Sequence, residues 1–325
     1  MAAGDRAVTG APWTSEISLH GDSGYLNENI MAFHALESCS GTPASVMVDV
    51  GAHFGGSLMR YLQADWDIWA FEPDPANRSK LFGRLIDQEH MPRRVDKRAV
   101  SEVSGETVDF YVSPVSAAIG TLRPFHATHQ AEHQVTTVRL DDFIADYNIE
   151  NVDYLKIDIE GFDFFALKSF PFDSMTPKAI LCQFGDRKTV PLGYSYRDLG
   201  VWLQERGYQV LISEWYPIAE YGQVHSWRSI SEYQGEQLAD DAWGNFLCFK
   251  NPLSNAELER CAKGGMQKGS PKADSTAAPA KSQSEEFVEL LHDVVTTLAR
   301  HERSIHILES AGGRDSGVSE AKVNP

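Results

Sequence analysis

Apolar and polar positions along the first 250 residues alternate between two periods. Val46, Met47, Val48 and Val50 form a β-branched-rich run interrupted by Asp49, the pattern of a strand covered on both faces. The run breaks at Gly51, and Gly55 and Gly56 precede Leu58, Tyr61 and Leu62 at helical spacing. A second strand is predicted over Ile68–Phe71. Asp74 and Pro75 then supply the N-cap and first turn of a helix reaching about Gln88. Short strands are predicted at 94–100, 108–112 and 135–140, with 113–134 irregular. Asp153–Ile159 reads as a strand, Phe162–Ser169 as a helix and Ala179–Phe184 as a strand. A helix over Tyr196–Arg206 ends at Gly207, and Gln209–Glu214 and Asn245–Lys250 read as a closing pair of strands. Strand–helix alternation of this kind predicts a mostly parallel sheet with helices on both faces.

Domain organisation follows from where the pattern stops. Residues 1–26 are small and polar and read as a lead-in, and 27–250 as one α/β domain. Residues 251–283 have the Gly, Ser, Ala, Pro and Lys content of a flexible linker. Phe287, Leu291, Val294, Leu298, His301, Ile305 and Leu308 recur at steps of four and three, so 284–310 is predicted to be an amphipathic helix with a coiled-coil seam. Through that seam the chain is expected to form a homo-oligomer, the alternative being a helix that folds back onto the α/β body. The last stretch, 311–325, is predicted to be a disordered tail.

Composition narrows the partners. The formal charge of −17 repels nucleic acid and anionic membrane, so neither is expected as a partner. Cys39, Cys182, Cys248 and Cys261 show no paired spacing, which argues against a zinc site or disulfide framework. His126, His129 and His133 cluster without an accompanying Cys or carboxylate pair and read as an exposed polar loop, so no metal is expected. The opening MAAGDRAVTG lacks an apolar signal core, and no run approaches the roughly 18 apolar residues of a span. A cytoplasmic location is the expectation.

The candidate chemistry sits at the strand ends. A strand, a glycine turn and a helix start offer free N–H groups and close backbone approach, as a nucleoside site requires. Glu72 ends the second strand about 20 residues after the turn, where a ribose-binding acid belongs. A dinucleotide fingerprint needs glycine at the third position, which here is His53, and Asp49 inside the strand would repel pyrophosphate. A carboxylate there suits a cationic, amino-bearing ligand, which points to S-adenosylmethionine. An ordinary βα turn without ligand is the bland alternative. Further along, KIDIEG (156–161) puts Asp158 and Glu160 at the end of a central strand, facing the same crevice. Packing, capping or a buried Lys156 pair would explain the same acids without chemistry.

VMVDVGAHFGG, WAFEPDP, VRLDDF and YLKIDIEGFDFFAL, in this order, resemble the FkbM family of S-adenosylmethionine-dependent methyltransferases over roughly Val46–Phe170. SEWYPIAEYG, HSWR and AWGNFLCF resemble the C-terminal half of one FkbM subgroup. The resemblance implies a class I, Rossmann-like fold of seven strands, mostly parallel with the last antiparallel, and O-methylation of a hydroxyl on a glycan or secondary metabolite. It places Asp49, Gly51 and Gly55 around the methionine part of the cofactor, Glu72 on the ribose, Ala99 near the adenine and Asp158 near the reacting methyl. His53 stands where the family commonly has asparagine and still belongs to the cofactor loop. Candidate bases for the hydroxyl proton are Asp158, Glu160 and His225. The rival readings are an NAD(P)-dependent oxidoreductase, which lacks its glycine fingerprint, and a catalytically inactive interaction protein oligomerising through its C-terminal helix.

Overall fold

The computed structural model describes residues 12–15, 24–39, 46–86, 88–223 and 225–269. The predicted seam at 284–310, the tail at 311–325 and the linker from 270 onward lie outside the described residues.

The chain opens with a short strand β1 (Gly24–Leu26) and helix α1 (Glu28–Cys39), then β2 (Val46–Val50), a single helical turn α2 (Met59–Leu62), β3 (Asp67–Phe71), α3 (Pro75–Leu85) and β4 (Arg94–Asp96). Pro75 occupies the first turn of α3, and the Asp74 side chain accepts from the Asn77 N–H at 2.8 Å, so the cap read in the sequence is made. An excursion follows: β5 (Ala99–Val100), β6 (Thr107–Val112) and β7 (Gln130–Val138) pair in the order β5-β7-β6. β7 starts five residues earlier than the alternating pattern predicts, within the stretch read as irregular. Its exposed first half pairs with β6, so backbone pairing and not burial sets its length.

The rest of the body is α4 (Leu140–Asp146), β8 (Tyr154–Ile157), α5 (Asp163–Ser169), β9 (Ala179–Gly185), a four-residue turn of helix α6 (Asp186–Thr189), α7 (Tyr196–Glu205), β10 (Gln209–Trp215), β11 (Trp227–Glu232) and β12 (Trp243–Phe249). The main sheet has eight strands, in the order β11-β10-β12-β9-β8-β2-β3-β4. Five neighbours, β4, β3, β2, β8 and β9, run parallel, whereas each contact among β9, β12, β10 and β11 is antiparallel. The sheet is therefore mixed and one strand wider than the seven expected. The added strand is β11, which begins at Trp227 inside the HSWR segment and lies at the edge.

Residues 12–15 dock on that edge. Trp13 is buried, Thr14 bridges Ser231, and the Glu232 N–H donates to the Trp13 carbonyl at 2.7 Å. They cover unpaired backbone that would otherwise invite association. This part of the predicted lead-in is thus structured. The predicted linker is also corrected at its start, where α8 (Asn255–Gly265) and β13 (Met266–Lys268) form. Ser254 and Glu257 make a reciprocal capping box, and Leu258, Cys261 and Ala262 are buried on one face. Gly264 and Gly265, read as linker glycines, are packing glycines. An added Cβ would lie 2.6 Å from His34 or 2.9 Å from Leu26, so α8 seats closely on α1. β13 then pairs with β1.

The core lies between the sheet and its helices, and the strands β8 and β9 are buried along their whole length. Among the described residues no helix is long and apolar enough to cross a membrane.

Candidate active site

At the carboxyl ends of β2, β3, β8 and β9 lies a cavity of about 250 Å³, where an open α/β sheet places its ligands. Gly51, His53, Glu72, Ala99, Asp158, Glu160 and His225 all line it.

The turn after β2 is set by sterics. Gly51 has φ +87°, and a Cβ there would stand 2.0 Å from the Asp158 carbonyl oxygen, so only glycine lets the β2 and β8 ends approach. His53 also has positive φ, at 50°. Its ring stacks on Phe54 with centroids 3.6 Å apart, and burial pushes its pKa down to about 3, so the imidazole is neutral. The His53 backbone N–H donates to Glu72 Oε2 at 2.8 Å, and the Asp74 N–H donates to Oε1 at 2.9 Å. Burial raises the Glu72 carboxyl to about 7 against these stabilising donors. A carboxylate has about four acceptor positions, so each Glu72 oxygen retains capacity toward the cavity. Ala99, Val100, Phe110 and Ile119 supply an apolar wall beside it.

Asp49 and Gly55 stand behind the lining. Asp49 is fully buried, 3.0 Å from Lys156 Nζ, and accepts from the Ser57 hydroxyl. Lys156 Nζ donates in turn to the Gly51 carbonyl at 2.6 Å. Asp49 thus pairs with the lysine that holds the Gly51 carbonyl of the turn. The two residues are partners in register on adjacent strands, which is why one buried charge demands the other. Gly55 faces Leu81 of α3, its added Cβ lying 3.3 Å from that side chain, and serves helix packing.

The opposite side of the cavity is polar and aromatic. Glu160 follows β8 with φ +57°, unusual for a residue carrying a side chain. Its Oε2 accepts from Lys188 Nζ at 2.8 Å and its Oε1 from Gln183 Nε2 at 3.2 Å. Thr121 Oγ1 donates to the Glu160 carbonyl at 3.1 Å. Asp158 is half-buried and lies beside the Gly51 turn. His225 packs edge-on to Trp243 at 5.3 Å, and burial lowers its pKa. Tyr221 and Ile218 complete this wall. Gln183, Lys188 and Tyr221 were not singled out in the sequence. Gln183 leaves a signal, because a lone amide inside the apolar run AILCQF needs buried partners.

The predicted histidine loop lies close by. His129 Nε2 is 2.8 Å from the Ile119 carbonyl oxygen, His126 Nδ1 is 2.7 Å from Thr128 Oγ1, and His133 lies on β7 against Phe110. Among the described residues no group of three or more His, Cys, Asp or Glu gathers to hold a metal.

A buried acid at the end of β3, a glycine turn after β2 and acids at the end of β8 surround one crevice at the carboxyl ends of the strands. Residues 49–210 match the model of the methyltransferase FkbM domain. The chain carries an FkbM-family methyltransferase domain. It is 26% identical over 136 residues to 2-O-methyltransferase NoeI of Sinorhizobium fredii, an alignment covering 37% of this chain and 54% of that protein. The chain thus spans about half the length of that curated relative. Among solved structures, precorrin-6y C5,15-methyltransferase from Geobacter metallireducens aligns with TM-score 0.34 and 12% identity, covering 68% of this chain and 89% of that one. Precorrin 8w decarboxylase from Methanobacterium thermoautotrophicum gives 0.33 and 15%, covering 67% and 89%. Likeness at that level carries no argument about function.

Proposed function

We propose that the domain is an S-adenosylmethionine-dependent O-methyltransferase acting on a hydroxyl of a glycan or small-molecule acceptor. The observation that carries this reading is the divided crevice: a buried carboxylate with spare acceptor capacity and an apolar wall on one side, acids and aromatic rings on the other. Glu72 suits the ribose hydroxyls, Ala99, Val100 and Ile119 suit the adenine face, and the Gly51–His53 turn and Asp158 suit the methionine end. These residues fit the cofactor, which when bound supplies an already activated methyl on a sulfonium. The chain's own work is then to hold an acceptor hydroxyl in line and take its proton. Asp158, Glu160 and His225 line the side where this would happen. The name of the 2-O-methyltransferase relative supports oxygen as the atom methylated.

Calorimetry with S-adenosylmethionine tests the cofactor, and incubation of the labelled cofactor with cell extract tests the acceptor. Absence of both heat and labelled product would defeat the reading. A catalytically inactive interaction protein would bind without releasing S-adenosylhomocysteine. The seam predicted at 284–310 supports self-association, and removing residues after Ser284 is expected to lower the mass seen by light scattering. An unchanged mass would remove that role.

A further inference from the structure

We propose that Glu160 is the group that takes the acceptor hydroxyl's proton and that Lys188 is its positioning residue, holding the carboxylate ionised and aimed into the crevice. This rests on the methyltransferase reading. Three observations single out the pair. Glu160, Gln183 and Lys188 line the cavity while each is at least nine-tenths buried, so their polar atoms face the crevice or one another. The lysine ammonium donates to both Glu160 Oε2 and Gln183 Oε1, and the Gln183 amide donates to Glu160 Oε1, closing a ring of three side chains. Two glycines leave the space this ring needs. A Cβ at Gly185 would stand 3.0 Å from Lys188 Cε, and one at Gly161 would stand 3.3 Å from Lys188 Cβ.

The backbone adds a further indication. Glu160 holds a left-handed φ of +57° next to Gly161, and such conformations on side-chain-bearing residues persist where the surroundings impose them, often at functional sites. Here the Thr121 hydroxyl on its carbonyl and the Lys188–Gln183 ring on its carboxylate impose it. Of the other two candidates, Asp158 stands beside the Gly51 turn and His225 is held by ring packing against Trp243. Only Glu160 is fixed by two side-chain donors, which is the preorganisation a proton acceptor needs.

In the step assigned, the acceptor O–H bond breaks, the proton passes to a Glu160 oxygen, and the bonding pair stays on the acceptor oxygen. Lys188 keeps its proton throughout. Burial raises the Glu160 carboxyl, which brings it toward the working pH of a base, and Lys188 opposes that rise. Asp158 on the same turn pushes Glu160 upward as well. Asp163 of α5 and Tyr221 of the β10–β11 connection face Lys188 and favour its charged form. Removing the ammonium therefore takes away the charge that opposes this rise and shifts Glu160 further toward its protonated form.

The test compares Lys188→Met, Lys188→Arg and Glu160→Gln in the full chain. In protein labelled with ¹³C at the glutamate carboxyl, the resonance missing from Glu160→Gln is followed against pH. The midpoint is expected to move up by at least one pH unit in Lys188→Met and to stay near wild type in Lys188→Arg. An unmoved midpoint would overturn the assignment of Lys188. With the acceptor found by labelling, Lys188→Met is expected to lose at least tenfold in turnover at pH 7 and to regain most of it by pH 9. Glu160→Gln is expected to stay inactive across that range. A loss that is flat in pH for Lys188→Met would mark a merely structural lysine, and turnover by Glu160→Gln beside an active wild type would overturn Glu160 as acceptor. If the wild-type chain neither binds S-adenosylmethionine nor transfers methyl, the methyltransferase reading fails and takes this assignment with it.

Discussion

The wall of the crevice formed by Gly51, His53 and Glu72 comes from one stretch of chain, β2 through the end of β3. The facing wall draws Glu160 from the end of β8, Gln183 from β9, Lys188 from α6 and Tyr221, His225 and Trp243 from the antiparallel end of the sheet. The first wall is held mainly by backbone groups: two N–H donors on the Glu72 carboxylate and a lysine on the Gly51 carbonyl. The second is held by side chains bonding to side chains. Backbone-held geometry follows from the fold and tolerates change in the surrounding side chains. Side-chain-held geometry depends on several residues at once and changes when any one of them does.

The two walls meet where Gly51 crosses the Asp158 carbonyl, so the largest effect is expected there. Gly51→Ala brings a Cβ to 2.0 Å from that oxygen at a φ of +87°, and should cost roughly 3 kcal/mol or more. Urea denaturation measures it. A loss under about 1 kcal/mol would mean that the strand ends part easily and that the walls are less coupled than the crossing implies.

Glu72 separates the walls by ligand. Glu72→Ala is expected to weaken S-adenosylmethionine at least tenfold, about 1.4 kcal/mol, in calorimetry at pH 8. The wild-type affinity should itself rise about tenfold between pH 6 and pH 8. Ligand hydroxyls donate to the ionised form, and the free carboxyl loses its proton near 7. Stability of the ligand-free protein runs the other way. Burial also raises Asp163 to about 7. Between the ordinary carboxylate range and pH 7 the folded chain holds protons that the unfolded chain has released, so these two groups make stability fall as pH rises. A flat affinity across this range would remove Glu72 from the ribose.

Much of the first wall was legible because its residues mark a local pattern. Gly51 ends an apolar run, and Glu72 ends the next. Asp49 was legible as an unusual residue, but its partner was not: nothing in the sequence pairs it with Lys156 until the β2–β8 register is known. The second wall was harder for the same reason throughout. Glu160 was marked by KIDIEG, whereas Lys188 sits in a four-residue helical turn without periodicity. Gln183 and the aromatic residues become neighbours only through antiparallel pairing. The eighth strand escaped because WRSISE carries no break from its surroundings beyond short alternation, and the backbone partners on its outer edge, Trp13 and Ser15, lie far away in the chain.

α8 gives the smallest effect and the sharpest control. Its composition reads as linker, yet Ser254 and Glu257 at capping-box spacing, with Leu258, Cys261 and Ala262 behind them, form a helix signature. It packs on α1 and contributes nothing to the crevice lining. Ser254→Ala removes the side-chain acceptor of the Glu257 N–H and is expected to cost about 1 kcal/mol of stability, read by urea denaturation. Cofactor affinity should stay within about twofold, because both walls are fixed by bonds that do not pass through α8. A matching loss of affinity would show that α1 transmits α8 packing to the carboxyl ends of the strands. The route would be Asn29 of α1, whose carbonyl and side chain accept from Tyr61 and Tyr154, with Tyr154 on β8 leading to the turn that carries Asp158.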